Sequence, residues 1–176
     1  QKSCSIADIS TTSFFPTKPL GCFGDGGAIF TNHEDLSEKI RMIVRHGQLK
    51  KYQHDVLGMN SRLDTIQATV LLEKLKILDD EIQKRNEIAE YYNKKLSDLT
   101  EVNLPKVYGC NISAIAQYTI RHSNRSEIIN KLKLKNIPYA IHYPIPVYKQ
   151  KFIIERFDFS ELQVTEKLCS SVLSLP

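Results

Sequence analysis

The sequence predicts a mixed α/β fold, on three observations. A short apolar run, Ala28 to Thr31, follows a loop rich in proline and glycine and reads as a buried strand. A long apolar stripe begins at Ile66 and recurs at Leu71, Leu75, Leu78 and Ile82, spacings that a helix gathers onto one face. Beyond a break at Asp98 to Gly109, punctuated by Pro105 and Gly109, strand, helix and strand follow one another between Ile112 and Tyr143. That order makes a small α/β layer of its own, so the break marks a domain boundary.

Lys2 to Thr12 is small and polar, with Ile6 and Ile9 as apolar points, and reads as a strand or strand edge. Asp8 is expected to be solvated or to cap a turn. The most informative stretch runs from Ser13 to Thr31. Lys18 stands between Pro16 and Pro19, each of which fixes its own φ and pushes the residue before it toward extended geometry. The amine is thus carried on a stiff backbone. Phe14, Phe15, Leu20 and Phe23 supply apolar surface around it. A lysine held among apolar groups has its ammonium form disfavoured and becomes a nucleophile near neutral pH. Gly21, Gly24, Gly26 and Gly27 follow, which implies a tight backbone or a close approach to another group.

Asn32 reads as the cap of a helix with Glu34 and Asp35 in its first turn and Leu36, Ile40 and Ile43 on one face. The helix runs to Val44 or Arg45, and Gly47 stops it. His46 is either a helix-end histidine or a ligand contact. Lys50 to Gly58 reads as loop. Asp64 with Gln67 has the logic of a capping box, with Ser61 and Asp64 as the competing cap. The long helix that follows is extended by Ala89, Tyr92 and Leu96, and the polar residues Lys84 to Glu87 suggest a bend. Ile112 to His122 reads as a strand. Asn124 and Glu127 cap a helix with Ile128, Ile129 and Leu132 inward, ended by Asn136 and Pro138. Tyr139 to Tyr143 is a second strand, and Glu161 to Leu173 the last helix.

Composition excludes several classes. With 41% hydrophobic and 25% charged residues the chain is ordinary globular material, neither disordered nor fibrous. Its 24 basic and 20 acidic residues leave a net charge of +4, mixed along the chain, which favours a solvated surface over nucleic-acid binding. No apolar run reaches membrane-spanning length, so no membrane partner is expected. Cys4, Cys22, Cys110 and Cys169 fit no usual zinc spacing and read as free thiols in a reducing cytosol, with Cys22 a packing residue and no metal implied. The Gly-Asp-Gly-Gly run lacks the spacing of a P-loop or a Rossmann turn.

The order Ser13-Phe14-Phe15-Pro16-Thr17-Lys18, then Gly24-Asp25-Gly26-Gly27-Ala28, resembles the Schiff-base lysine segment of sugar aminotransferases that use pyridoxal 5′-phosphate (PLP), the DegT/DnrJ/EryC1/StrS family. The resemblance continues through Asn60-Ser61-Arg62-Leu63-Asp64 and His142-Tyr143-Pro144-Ile145-Pro146, and so covers nearly the whole chain in order. It implies a fold-type-I PLP-dependent aminotransferase: residues 1–100 part of the PLP-binding large domain, residues 101–176 a small, incomplete C-terminal α/β domain. The lysine segment lies near the middle of a family member, so the chain is expected to be the central and C-terminal part of a longer protein.

The resemblance also implies roles. Lys18 is the lysine that joins PLP, and the proton shuttle between the amino donor and the cofactor. Ser13 contacts the PLP phosphate, the alternative being a turn hydrogen bond. Asn60 donates to the phosphate from the neighbouring subunit, which requires a homodimer with a shared active site. Arg62 neutralises a phosphate or an acidic substrate group; for both, capping and a surface salt bridge are the alternatives. His142 or Tyr143 hydrogen-bonds the nucleotide sugar, or the pair simply covers the core at a strand end. Many relatives have histidine where Tyr148 stands. The implied reaction moves an amino group from glutamate to a keto-sugar linked to a nucleotide, and the Cys22 loop leans toward UDP-linked N-acetyl sugars of surface polysaccharides. Family dehydratases carry histidine at the lysine position, against which Lys18 argues. The alternatives are an inactive, truncated chain that only dimerises through its long helix and, more weakly, a basic nucleic-acid-binding module.

Overall fold

The computed structural model describes residues 2–176, and the chain divides into two compact units, one ending at Glu81 and the other running from Ile82 to Pro176. The architecture is mixed α/β, as the alternation of apolar patterns implies.

The first unit opens with a short 3₁₀ turn, Ser3–Ser5, and a hairpin of two antiparallel strands, β1 (Ser10–Ser13) and β2 (Gly27–Phe30). Ser13 lies opposite Gly27, so the whole lysine loop hangs from the end of this ladder. Helix α1 (Glu34–Ile43) follows. Its N-cap is His33, not Asn32: the Thr31 hydroxyl accepts from the His33 amide at 3.1 Å and forms the turn that Asn32 was expected to make. The stretch from Lys50 to Gly58, expected as loop, joins in its first part a small hairpin of β3 (Gln48–Lys50) and β4 (Gln53–His54). Helix α2 (Thr65–Leu75) is capped by Asp64, whose carboxylate accepts from the Ile66 amide at 2.8 Å. Gln67 takes no part in a capping box, because its amide oxygen is committed to the lysine loop.

Helix α3 (Leu78–Leu96) carries the division between the units. The break in the long helical stretch lies at Lys76 and Ile77, where i to i+3 hydrogen bonds tighten the end of α2. It does not lie at Lys84 to Glu87, because those polar residues have other partners: Asn86 donates to the Ser113 carbonyl at 2.9 Å and Arg85 donates to the Ile115 carbonyl at 3.4 Å.

The second unit is built on a three-stranded antiparallel sheet of β5 (Val102–Asn103), β6 (Tyr118–His122) and β7 (Val172–Leu175), in the order β5-β6-β7. Helix α4 (Arg125–Leu134) is capped by Asn124 as expected, and closes with Asn136 at φ 54° and an Ile137 amide returning to the Leu132 carbonyl at 2.9 Å. A 3₁₀ turn (Val147–Lys149), helix α5 (Lys151–Ile154) and helix α6 (Gln163–Ser171) complete the unit. Two expectations fail here. Tyr139 to Tyr143 is no strand; only Ala140 bridges, to Ser174. The last helix ends at Ser171, and Val172–Leu175 turns into the strand paired with β6. The core explains the switch: Leu173 is wholly buried among Ala89, Tyr118 and Ile120, a contact that a helical Leu173 would forfeit. Tyr118 stacks on Tyr92 with ring centres 4.8 Å apart and donates to Asn93 at 2.7 Å. Burial, and secondarily Tyr92, pushes the Tyr118 phenol above its ordinary range.

Candidate active site

The lysine loop is closed at its neck by backbone hydrogen bonds. The Phe14 amide donates to the Gly26 carbonyl, and the Cys22 amide to the Phe14 carbonyl, both at 2.8 Å. Inside the loop, Phe15-Pro16-Thr17-Lys18 forms a turn in which the Lys18 amide donates to the Phe15 carbonyl at 2.8 Å. Pro16 takes the second position, where a fixed φ is already suited to the turn. Gly21 is required by a close approach: a Cβ there would lie 2.7 Å from the carbonyl oxygens of both Phe15 and Pro16. Cys22 is buried in the neck, with Sγ 3.0 Å from the Phe14 carbonyl and 3.1 Å from that of Gly24.

Lys18 is exposed at the far part of this loop. Phe15 is 48% exposed and Phe23 77%, so the loop does not itself build the apolar wall expected around the amine. Gly21 and Cys22 are its buried members, and the contacts of Cys22 go into closing the neck. Ser13 is exposed, and its hydroxyl accepts from the Phe15 amide at 3.2 Å. Ser13 and Lys18 thus stand on one loop, at its start and beyond its first turn.

The Asn60 segment is fixed by the end of α1. Arg45 and Asn60 form an antiparallel bridge, the Met59 amide donates to the Ile43 carbonyl at 2.8 Å, and the Ser61 amide to that of Val44 at 3.1 Å. This crossing depends on Gly47, which has φ 74°; a Cβ there would lie 1.7 Å from the Val56 carbonyl oxygen. His46 gives its carbonyl to the His54 ring at 2.8 Å. The Asn60 amide is exposed and makes no side-chain hydrogen bond among the described residues. Arg62 has no carboxylate partner among them either, so the salt bridge considered for it does not form. Arg62 borders two hollows. One, of about 670 Å³, is lined also by Thr12, Gly27, Ile40 and Ser61; the other, of about 420 Å³, by Asn60, Asp64 and Thr65.

His142 and Tyr143 belong to the second unit. His142 Nδ1 lies 3.4 Å from the hydroxyl of buried Ser174, and its ring meets Tyr143 edge-on at 5.6 Å. Tyr143 is 73% exposed. Tyr148 donates to the Glu166 carboxylate, which also pairs with Lys149 at 2.6 Å, and the Leu162 amide donates to the Tyr148 oxygen at 3.3 Å. Hydrogen bonds from Lys149 and then Tyr148 hold the Glu166 carboxyl below the usual carboxylate range. Sequence reasoning missed this clasp and the grip of α2 on the lysine loop. In that grip Gln67 accepts from the Phe23 and Gly24 amides and Lys74 donates to the Gly21 carbonyl, and its signal was the seven-residue spacing of the two, two turns on one helix face.

The donor set suits PLP: one unhindered amine for an aldehyde, and on the same loop a hydroxyl for a phosphate. Among the described residues no group of His, Cys, Asp and Glu could hold a metal ion, and no helix is long and apolar enough to cross a membrane.

Residues 1–176 match the family described as DegT/DnrJ/EryC1/StrS aminotransferase. The chain is 46% identical to a UDP-2-acetamido-2-deoxy-3-oxo-D-glucuronate aminotransferase of Pseudomonas aeruginosa, over all of this chain and 48% of that protein. The structure is similar to that of a DegT DnrJ EryC1 StrS aminotransferase from Brucella abortus, with TM-score 0.89 and 44% identity over 96% of this chain and 45% of that one. It is also similar to S. venezuelae DesV in complex with a ketimine intermediate, with TM-score 0.90 and 36% identity over 96% and 46% of the two chains. The chain therefore spans about half the length of the relatives it matches.

Proposed function

Because the chain belongs to the DegT/DnrJ/EryC1/StrS aminotransferase family, whose aminotransferases depend on PLP, we propose that the whole protein moves an amino group from glutamate to a UDP-linked keto-sugar. The observation that carries the reading is Lys18 itself: a lysine on a proline-stiffened turn, in a loop whose neck is locked by hydrogen bonds. The name of the Pseudomonas aeruginosa relative supports a UDP-linked 3-keto-sugar, and the proposal extends to a role in surface polysaccharide synthesis. The four free cysteines suit a reducing cytosol. We assign residues 1–100 to the large, PLP-binding domain and 101–176 to the small one.

PLP, when bound, supplies the aldehyde and the electron sink. The protein supplies aim and charge. Lys18 Nζ would hold the cofactor and would serve as the base and acid that moves a proton between the donor's Cα and the cofactor's C4′ carbon. The Ser13 hydroxyl donates to the phosphate, and the Asn60 amide donates from the neighbouring subunit. The Arg62 guanidinium, with no carboxylate partner among the described residues, would neutralise an anionic group as a planar fork. His142 and Tyr143 offer an imidazole and a phenol to the sugar. Exposed Leu49, Tyr52 and Leu57 on and beside the β3–β4 hairpin support a homodimer, since apolar side chains this open are better covered.

Lys18→Ala in the whole protein should abolish both the visible absorbance of bound PLP and turnover; retained turnover would defeat the assignment. A second reading is a dimerising chain without catalysis. Adding PLP to the whole protein separates the two, since only a competent site develops the Lys18-dependent absorbance.

A further inference from the structure

We propose that Gln67 and Lys74 are positioning residues for Lys18, acting through the backbone of the lysine loop. The inference rests on the reading of Lys18 as the residue that joins PLP, and it concerns how this chain aims that amine.

Strand pairing stops at Ser13 and Gly27, so the loop between them has to find other partners for its peptide groups. Two amides and one carbonyl find them on α2. The side-chain oxygen of Gln67 accepts from the Phe23 amide at 2.8 Å and from the Gly24 amide at 3.1 Å. Lys74 donates to the Gly21 carbonyl at 2.6 Å. That carbonyl is the partner of a half-buried ammonium with no carboxylate beside it among the described residues. A charge-assisted bond of this kind is stronger than a neutral one.

The grip reaches the catalytic turn by a short path. Gly21 is packed so closely on the Phe15 and Pro16 carbonyls that a Cβ would stand 2.7 Å from each. The Phe15 carbonyl in turn accepts from the Lys18 amide at 2.8 Å. Moving Gly21 therefore moves the turn that bears Lys18. Neither Gln67 nor Lys74 needs to touch cofactor or substrate for this.

The test uses the whole protein with four variants. Gln67→Met and Lys74→Met keep chain length and remove the polar contact; Gln67→Glu keeps an acceptor, and Lys74→Arg a donor. Hydrogen exchange is read without PLP, and steady-state kinetics and the pH midpoint of the Lys18-dependent absorbance with it. Gln67→Met should raise exchange at the Phe23 and Gly24 amides about tenfold, and Lys74→Met should raise it at the Lys18 amide, whose acceptor, the Phe15 carbonyl, packs on Gly21. Both Met variants should lower kcat by about 10- to 100-fold at unchanged KM and shift the pH midpoint. Gln67→Glu and Lys74→Arg should restore each readout. Should a Met variant not fold, Gln67→Asn, too short to reach the amides, gives the same readouts. Unchanged exchange overturns the proposal. So does raised exchange with unchanged kcat, or a loss of activity that the conservative variants fail to rescue. Turnover surviving Lys18→Ala would sink the functional reading instead, and would leave the exchange result standing.

Discussion

At the scale of single residues, the site depends on atoms that cannot be enlarged as much as on those that react. Gly21→Ala would press a methyl group onto two backbone carbonyls that cannot yield as a side-chain tip can. Overpacking of this kind costs about 1–3 kcal/mol. A urea denaturation of the variant should show that loss, and titration with PLP should show weakened binding. The proline-framed lysine was legible because Pro16 and Pro19 act on the chain next to them. The partners of Gln67 were not, because Phe23 and Gly24 stand more than forty residues away in sequence and no local rule links them. Asp64 and Asn124 were legible as caps for the opposite reason: each bonds an amide two or three residues on.

At the scale of elements, β7 shows how packing overrides local pattern. Val172 follows α6 with no proline or glycine between them, so the apolar residues at its end read as one more helical turn. Pairing with β6 and burial of Leu173 decide otherwise. Leu173→Ala should therefore cost about 2–5 kcal/mol, the range for emptying a full core position. A thermal melt should show a lowered midpoint. The clasp of Tyr148, Lys149 and Glu166 ties the Val147–Lys149 turn to α6 and carries a pH signature. The Glu166 carboxyl is depressed in the folded chain, by Lys149 first and Tyr148 second. Its contribution is present above the unfolded carboxylate pKa and is lost as pH falls through the lower, folded value. Lys149 is raised, chiefly by its hydrogen bond to Glu166, so its share is present below the unfolded lysine pKa and fades as pH rises through the folded one. Protection from hydrogen exchange over residues 147–171, taken relative to the intrinsic rate at each pH, should be greatest between these limits. Glu166→Gln should flatten the acid side.

At the scale of the whole molecule, the chain divides into two compact units and spans about half the length of its relatives. The α/β class and the main helices were legible from periodicity, because apolar patterns report each element's own buried face. The enclosure of Lys18 was not, since the aromatic residues placed beside it in sequence remain open to solvent. We expect the rest of the protein and a second copy to close over that amine. A homodimer in solution should then show protection of Leu49, Tyr52 and Leu57 from surface oxidation, and a charged substitution at Leu57 should shift sedimentation toward the monomer. The account turns on one bond. The whole protein, saturated with PLP, reduced with borohydride and digested, should yield the pyridoxyl label on the peptide bearing Lys18. A label on another lysine, or none, would contradict it.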